Sequence, residues 1–131
     1  MKDYERTMRF FNFFDEVYPG ALIVLDKVES SNPTFKKSWL LHSQEEPEVN
    51  GNTQTIRRTQ FGYNGRLTNT TLLPASEDLN VEKIGGPGKE YWVDGKNATA
   101  VTYVKGDESG KWRIEVSPKT PKTKDYFLNV I

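Results

Sequence analysis

The 131-residue chain has no cysteine, a single histidine, and no excess of either charge, with 18 basic and 18 acidic side chains. The lack of cysteine removes disulfides, thiolate nucleophiles and cysteine-type zinc sites together, and leaves the redox compartment open. Zero formal charge gives no electrostatic footprint for nucleic acid or anionic lipid. The basic pairs Lys36-Lys37 and Arg57-Arg58 do not alter this, because neighbours on a strand point to opposite faces. Long apolar runs are missing too. Ala21-Leu22-Ile23-Val24-Leu25 is too short to cross a bilayer, and no basic segment followed by an apolar stretch opens the chain. These absences predict a soluble chain with neither a nucleic-acid nor a membrane partner. A piece cut from the back of a secreted protein would carry no signal either, so localisation stays unknown.

What is present reads as β structure. The length suits a single domain over residues 1–131, able to bury about two thirds of its unfolded surface. Short β-rich runs alternate with turn clusters at the spacing of an all-β antiparallel sandwich, or a supersandwich, of about 9 to 11 short strands. Strands are expected at Arg6–Phe14, Ala21–Val28, Lys36–Ser43, Thr53–Phe61 and Arg66–Leu73. In the second half they are expected at Asn80–Ile84, Glu90–Val93, Ala98–Lys105, Trp112–Val116 and Tyr126–Val130. The opening run is apolar on both faces and predicts a buried strand, with a short helix through Asp15 and Glu16 as the alternative. Turns are expected at Tyr18-Pro19-Gly20, Asn64-Gly65, Asp94-Gly95 and Gly106-Asp107. Trp112, Ile114 and Val116 alternate with Lys111, Arg113 and Glu115, the pattern of an antiparallel strand with one wet face.

Several residues invite chemistry. His42 shares a strand face with Leu40 and Ser38, opposite Trp39 and Leu41, and is expected to be half-buried and held by a neighbour, or else to line a saccharide groove. Zinc would need three or four ligands, which one histidine and the carboxylates Glu45, Glu46 and Glu48 supply poorly, so that stretch reads as a charged loop and no metal is expected. Gly85-Gly86-Pro87-Gly88-Lys89-Glu90 lacks the spacing of a phosphate loop and reads as a sharp connection; no cofactor is implied. Asp26 interrupts an apolar strand, and a buried carboxylate must be paired, with Lys37 or Arg9 as the expected partner. Trp39, Trp92 and Trp112 serve a core by default. Trp112 is expected inside, whereas Trp92 precedes a turn and is the aromatic best placed to stack on sugar. The glycosylation patterns Asn69-Thr70-Thr71 and Asn97-Ala98-Thr99 are short and receive no role.

Gly20-Ala21-Leu22-Ile23-Val24-Leu25-Asp26-Lys27-Val28, Lys37-Ser38-Trp39-Leu40-Leu41-His42 and Pro47-Glu48-Val49-Asn50-Gly51-Asn52 carry a resemblance. In the same order follow Gly65-Arg66-Leu67, Thr71-Leu72-Leu73-Pro74, Ile84-Gly85-Gly86-Pro87-Gly88, Trp92-Val93-Asp94-Gly95-Lys96-Asn97 and Trp112-Arg113-Ile114-Glu115-Val116-Ser117-Pro118. Together these segments resemble the C-terminal β-sandwich region of heparinase II/III-like polysaccharide lyases, over nearly the whole chain. Such lyases join a helical toroid to β-sandwich layers and cleave uronate-containing polysaccharides by β-elimination. The resemblance implies an acidic polysaccharide as partner through a larger, largely bacterial parent, and a periplasmic or secreted setting. The family's catalytic Tyr and His and its metal-binding His and Asp have no counterpart in the matched part, so no catalytic residue is assigned.

Elementary chemistry leads the same way, because β-elimination needs a base, an acid and a group that neutralises the carboxylate. His42, a tyrosine and Arg57 are of suitable type, but nothing in their spacing makes them converge. Three readings stand: a non-catalytic module of a lyase, a free-standing carbohydrate-binding or interaction module, and an autonomous lyase. His42, Arg57 and Trp92 are the carbohydrate-contact candidates, and Asp26 is the structural buried charge. A sheet cut from its parent would also expose an apolar face and self-associate through it.

Overall fold

The computed structural model describes residues 1–98 and 110–131. They form an all-β antiparallel sandwich. In chain order the strands are β1 (Asp3–Asn12), β2 (Gly20–Glu29), β3 (Trp39–Ser43), β4 (Glu48–Asn50), β5 (Thr53–Arg58), β6 (Gly65–Leu73), β7 (Leu79–Gly85), β8 (Trp92–Val93), β9 (Lys96–Asn97), β10 (Trp112–Pro118) and β11 (Lys124–Val130). The large sheet has the order β1-β2-β11-β6-β5-β4, the small one β3-β10-β7, and β8 and β9 make a separate ribbon. Most strands lie where alternation places them. Thr53–Phe61 ends early, at Arg58, in a 3₁₀ turn over Gln60–Gly62. The expected strand Ala98–Lys105 lies almost wholly outside the described residues.

The opening segment departs from expectation. β1 is a strand but is exposed at every one of its 10 residues, because it is the edge of the large sheet and pairs only with β2. No helix forms through Asp15 and Glu16. Instead the Asp15 carboxylate accepts the Val17 and Tyr18 amides at 2.8 and 2.7 Å, fixing the bend that returns the chain into β2. β4 and β9 are strands that the sequence reading missed. Gly51 (φ 58°) closes the β4–β5 hairpin, and Asp94 (φ 49°) with Gly95 (φ 77°) closes β8–β9.

The core lies between the two sheets. Trp39 of β3, Leu79 of β7 and Ile114 and Val116 of β10 meet Phe127 of β11, with Val28, Leu41, Val81 and Ile131 packed around them. Trp112 is only half-buried, against the expectation that it is inside, because it lies at the end of β10 beside Gly85 and Gly86. A Cβ on Gly86 (φ 75°) would come within 2.6 Å of its ring. Further along the large sheet the inner face turns polar. Gln54, Asn69 and Asn129, on β5, β6 and β11, are fully buried side by side. Asn69 Nδ2 donates to Gln54 Oε1 at 2.6 Å and to Asn129 Oδ1 at 3.2 Å, which also accepts the Thr71 hydroxyl at 2.8 Å. This chain of hydrogen bonds pins the register of three strands, since a slip by one residue would turn every amide to solvent.

Asp26 is buried, as expected, at 2% exposure, but its partner is neither Lys37 nor Arg9. Arg6 stands directly opposite on β1 and grips both carboxylate oxygens, Nε to Oδ1 at 2.6 Å and Nη2 to Oδ2 at 2.7 Å. Tyr4 adds a hydroxyl at 3.3 Å. Arg9 is opposite Ile23 and, by the two-residue period, faces the other way. Lys37 is taken by Asp125 at 3.0 Å, with both side chains buried, and by the Lys122 carbonyl at 2.6 Å. The Asp26 carboxylate raises the pKa of Arg6 by hydrogen bonding, while burial and that same charge raise the Tyr4 phenol. Because the Arg6 side chain remains 43% exposed, it can recover hydration when its partner is lost. Asp26→Asn should therefore cost about 1–3 kcal/mol, read as a lower urea midpoint at unchanged slope; an unaltered midpoint would show that the pair contributes nothing.

Candidate functional site

His42 lies on β3 with its side chain exposed on the outer face of the small sheet, beside exposed Leu40 and opposite Trp39 and Leu41. The face assignment agrees with the sequence pattern, but the expected half-burial does not, because β3 is an edge strand and, among the described residues, no strand packs on its outer face. Arg113 sits across from His42 on β10, yet its guanidinium turns to Glu115 at 2.7 Å. Lys36 reaches the same carboxylate at 3.1 Å. Burial pushes the Glu115 pKa upward, but hydrogen bonds from Arg113 and Lys36 outweigh it and hold the group below its ordinary value. The charges around His42 are thus engaged with one another.

Arg57 is exposed on the outer face of the large sheet, and the cross-strand register places Arg66 of β6 directly opposite. Thr53 and Thr55 of β5 face Thr70 and Thr68 of β6 on the same side. The guanidinium of Arg66 lies 5.7 Å from the centroid of the Tyr18 ring, within cation–π reach. Arg58 points the other way and is occupied by Gln44 and by Glu45 at 3.6 Å, so Arg57-Arg58 forms no patch by itself. The basic feature arises from pairing across strands, which adjacent positions in the sequence do not display.

Trp92 begins β8 and is half-buried, with the Lys89 ammonium 5.3 Å from its ring centroid. His42, Arg57 and Trp92 therefore occupy three separate sheets, and the fold does not gather them into one site. The acidic stretch around Glu45 is held by cations: Glu46 meets Lys83 at 2.6 Å, Glu45 meets Arg58, and Glu48 lies on β4. Among the described residues, no group of three or more His, Cys, Asp or Glu could hold a metal ion. The glycine-rich segment is a connection after β7, where Glu90 accepts the Gly88 amide at 3.1 Å. Asn69 of the first glycosylation pattern is fully buried in the amide chain.

A cavity of about 690 Å³ opens between the β1–β2 bend and the start of β6. Phe10, Phe13, Val17, Tyr18, Leu22, Leu67 and Ile131 give it apolar walls, while Arg66, Thr68 and Thr70 stand along one side. Of its residues Gly20–Leu22 and Arg66-Leu67 belong to segments of the family resemblance, and Tyr18-Pro19-Gly20 to an expected turn. Phe10, Phe13 and Tyr18 read as core or turn residues, because convergence of a bend with a distant strand leaves no local pattern.

Two arginines directly opposite each other repel. Arg57→Thr, which also extends the threonine row, should leave stability unchanged or raise it by about 0.2–0.5 kcal/mol; a loss above about 1 kcal/mol in thermal unfolding would mean that Arg57 has a structural partner. The sequence matches no protein-family model and no curated protein.

Proposed function

We propose that this chain is a non-catalytic β-sandwich module of a heparinase II/III-like polysaccharide lyase, and that it serves β-elimination of uronate-containing polysaccharide by packing against another part of that enzyme. One observation carries the docking half of this reading: the open inner face of β1. Tyr4, Arg6, Met8 and Phe10 point to the side on which the core lies, yet Tyr4, Met8 and Phe10 are 45%, 59% and 69% exposed. Just beyond the strand's end, Phe13, 54% exposed, lines the cavity together with Phe10. An edge strand with an uncovered apolar face is a surface that natural sheets ordinarily cover. The lyase half is supported by the ordered family-like segments that run through the chain.

With that face open, the isolated chain associates with itself. Sedimentation of wild type should show weight-average mass rising with concentration, and Met8→Asp combined with Phe10→Asp should return it to monomer without lowering the thermal midpoint. A wild type that stays monomeric at high concentration would count against the docking face. Unsaturated uronate released by the purified chain would overturn its non-catalytic role.

A second reading, a free-standing module that binds acidic saccharide, is favoured by the exposed Arg57 and Arg66 beside the Tyr18 ring. Two guanidiniums on one flat face suit a row of carboxylates, and an aromatic ring suits a sugar face. In that case a uronate oligosaccharide binds with an affinity that falls with salt, and Arg57→Ala or Arg66→Ala each weakens it by about threefold to tenfold. Equal binding by both variants would remove this reading, and a change in tryptophan emission that Trp92→Phe abolishes would move the contact to the β8–β9 ribbon.

A further inference from the structure

We propose that β1 pairs edge to edge with β1 of a second copy of this chain, antiparallel about a two-fold axis at Thr7, so that two large sheets join into one. The self-association expected above rests on the inner side of β1. Edge pairing uses the strand's backbone and its outer side chains, and stands or falls separately.

The two main sheets end in four strands, of which β1 is the longest, at 10 residues against 7 for β7, 5 for β3 and 3 for β4. Its register with β2 runs unbroken from Asp3 opposite Glu29 to Asn12 opposite Gly20, with no bulge and no proline to spoil the edge. Phe13 donates to the Pro19 carbonyl at 2.9 Å in that same register, so Phe11, Arg9, Thr7 and Glu5, at alternate positions, turn their backbone groups to β2. Leu22 agrees, because it exchanges both backbone hydrogen bonds with Ile131 and leaves none for Phe10 opposite. Tyr4, Arg6, Met8 and Phe10 therefore aim their N–H and C=O groups at the open edge.

Such edges are often guarded by an inward-pointing charge. Arg6 is one, but Asp26 neutralises it through two bonds, at 2.6 and 2.7 Å. When two copies of one edge meet about a two-fold axis, each residue faces the position equally far from the axis on the other copy. The axis must pass through a residue, since an axis between residues would set outward backbone groups against residues already bonded to β2. Of the axes that keep most of the strand paired, one at Arg6 places that guanidinium opposite itself, and one at Met8 places Glu5 opposite Phe11. The axis at Thr7 satisfies both sides of the strand. Glu5 then meets Arg9 twice on the outer side, and Tyr4 meets Phe10 twice on the inner side. Among the described residues Arg9 is exposed and makes no ion pair, while Glu5 has only Lys27 at 3.7 Å, which lies nearer to Asp3 at 2.7 Å. The second copy supplies the counter-charge that each lacks.

Sedimentation equilibrium of the full-length chain should fit a monomer–dimer equilibrium rather than open-ended growth. Arg9→Glu and Glu5→Arg should each weaken the dimer by at least about tenfold at an unchanged thermal midpoint, because each sets like charges opposite. Combined in one chain they should return it to within about threefold of wild type, and the two single variants should pair with each other when mixed. Because the chain has no cysteine, Thr7→Cys reports the register. The axis residue sits in a close, non-hydrogen-bonded pair with Cα atoms about 4.5 Å apart, within disulfide reach. Mild oxidation should therefore give covalent dimer at least about tenfold faster through Thr7→Cys than through Met8→Cys. Association that ignores both charge reversals, or faster cross-linking through Met8→Cys, would put the contact on the inner face, overturning edge pairing while leaving the docking face intact. A wild-type chain that stays monomeric at millimolar concentration overturns edge pairing as well.

Discussion

The last strand in the sequence, β11, lies inside the large sheet, and the interior is organised around its placement between β2 and β6. Three inward residues at alternate positions do different work. Asp125 receives the buried ammonium of Lys37, Phe127 enters the apolar core, and Asn129 joins the chain of buried amides. Full burial of a side chain such as Phe127 contributes about 1.5–3 kcal/mol, and the polar neighbours fix where along β2 and β6 that burial takes place. A shift of one residue would put Tyr126 and Leu128 inside and strand Lys37 without a counter-charge. Register here is enforced by polar groups as much as by apolar ones.

The two sheets differ in extent, and that mismatch generates the surfaces available for interaction. Three strands, β3, β10 and β7, cover a sheet of six. Coverage centres on β11 and the adjoining part of β2, where Phe127 and Val28 lie. It leaves β1 open on its inner side. The only histidine, by contrast, stands on an outer face among charges already paired with one another. The uncovered apolar side of β1 and the paired charges around His42 thus lie on opposite faces of different sheets.

Alternation along Trp112–Val116 is visible in the chain because it has a period of two and needs no knowledge of neighbours, and Ala21–Val28 is visible as a β-branched-rich run after a turn. The same holds for the turn at Asp94-Gly95, whose residues tolerate positive φ. The burial of Asp26 was legible from an acid inside an apolar run, but its partner was not. Choosing Arg6 over Arg9 or Lys37 requires the β1–β2 register, and that register follows from the bend built around Asp15. β1 itself looked buried because Phe10, Phe11, Phe13 and Phe14 are apolar on both faces, yet composition cannot tell a central strand from an edge.

The sequence by itself determined that the chain is all-β and antiparallel, where most strands lie, and that no cysteine chemistry is open to it. These follow from composition, short periods and turn residues, which are local properties. Tertiary structure alone decided that β11 lies between β2 and β6, that Arg57 faces Arg66, that Lys37 belongs to Asp125, and that His42, Arg57 and Trp92 lie apart. Each depends on which distant segments pair and in what register. That is settled by the free energy of the assembled sandwich, in which burying Phe127, the Lys37–Asp125 pair and the amide chain together admits only one alignment of the strands.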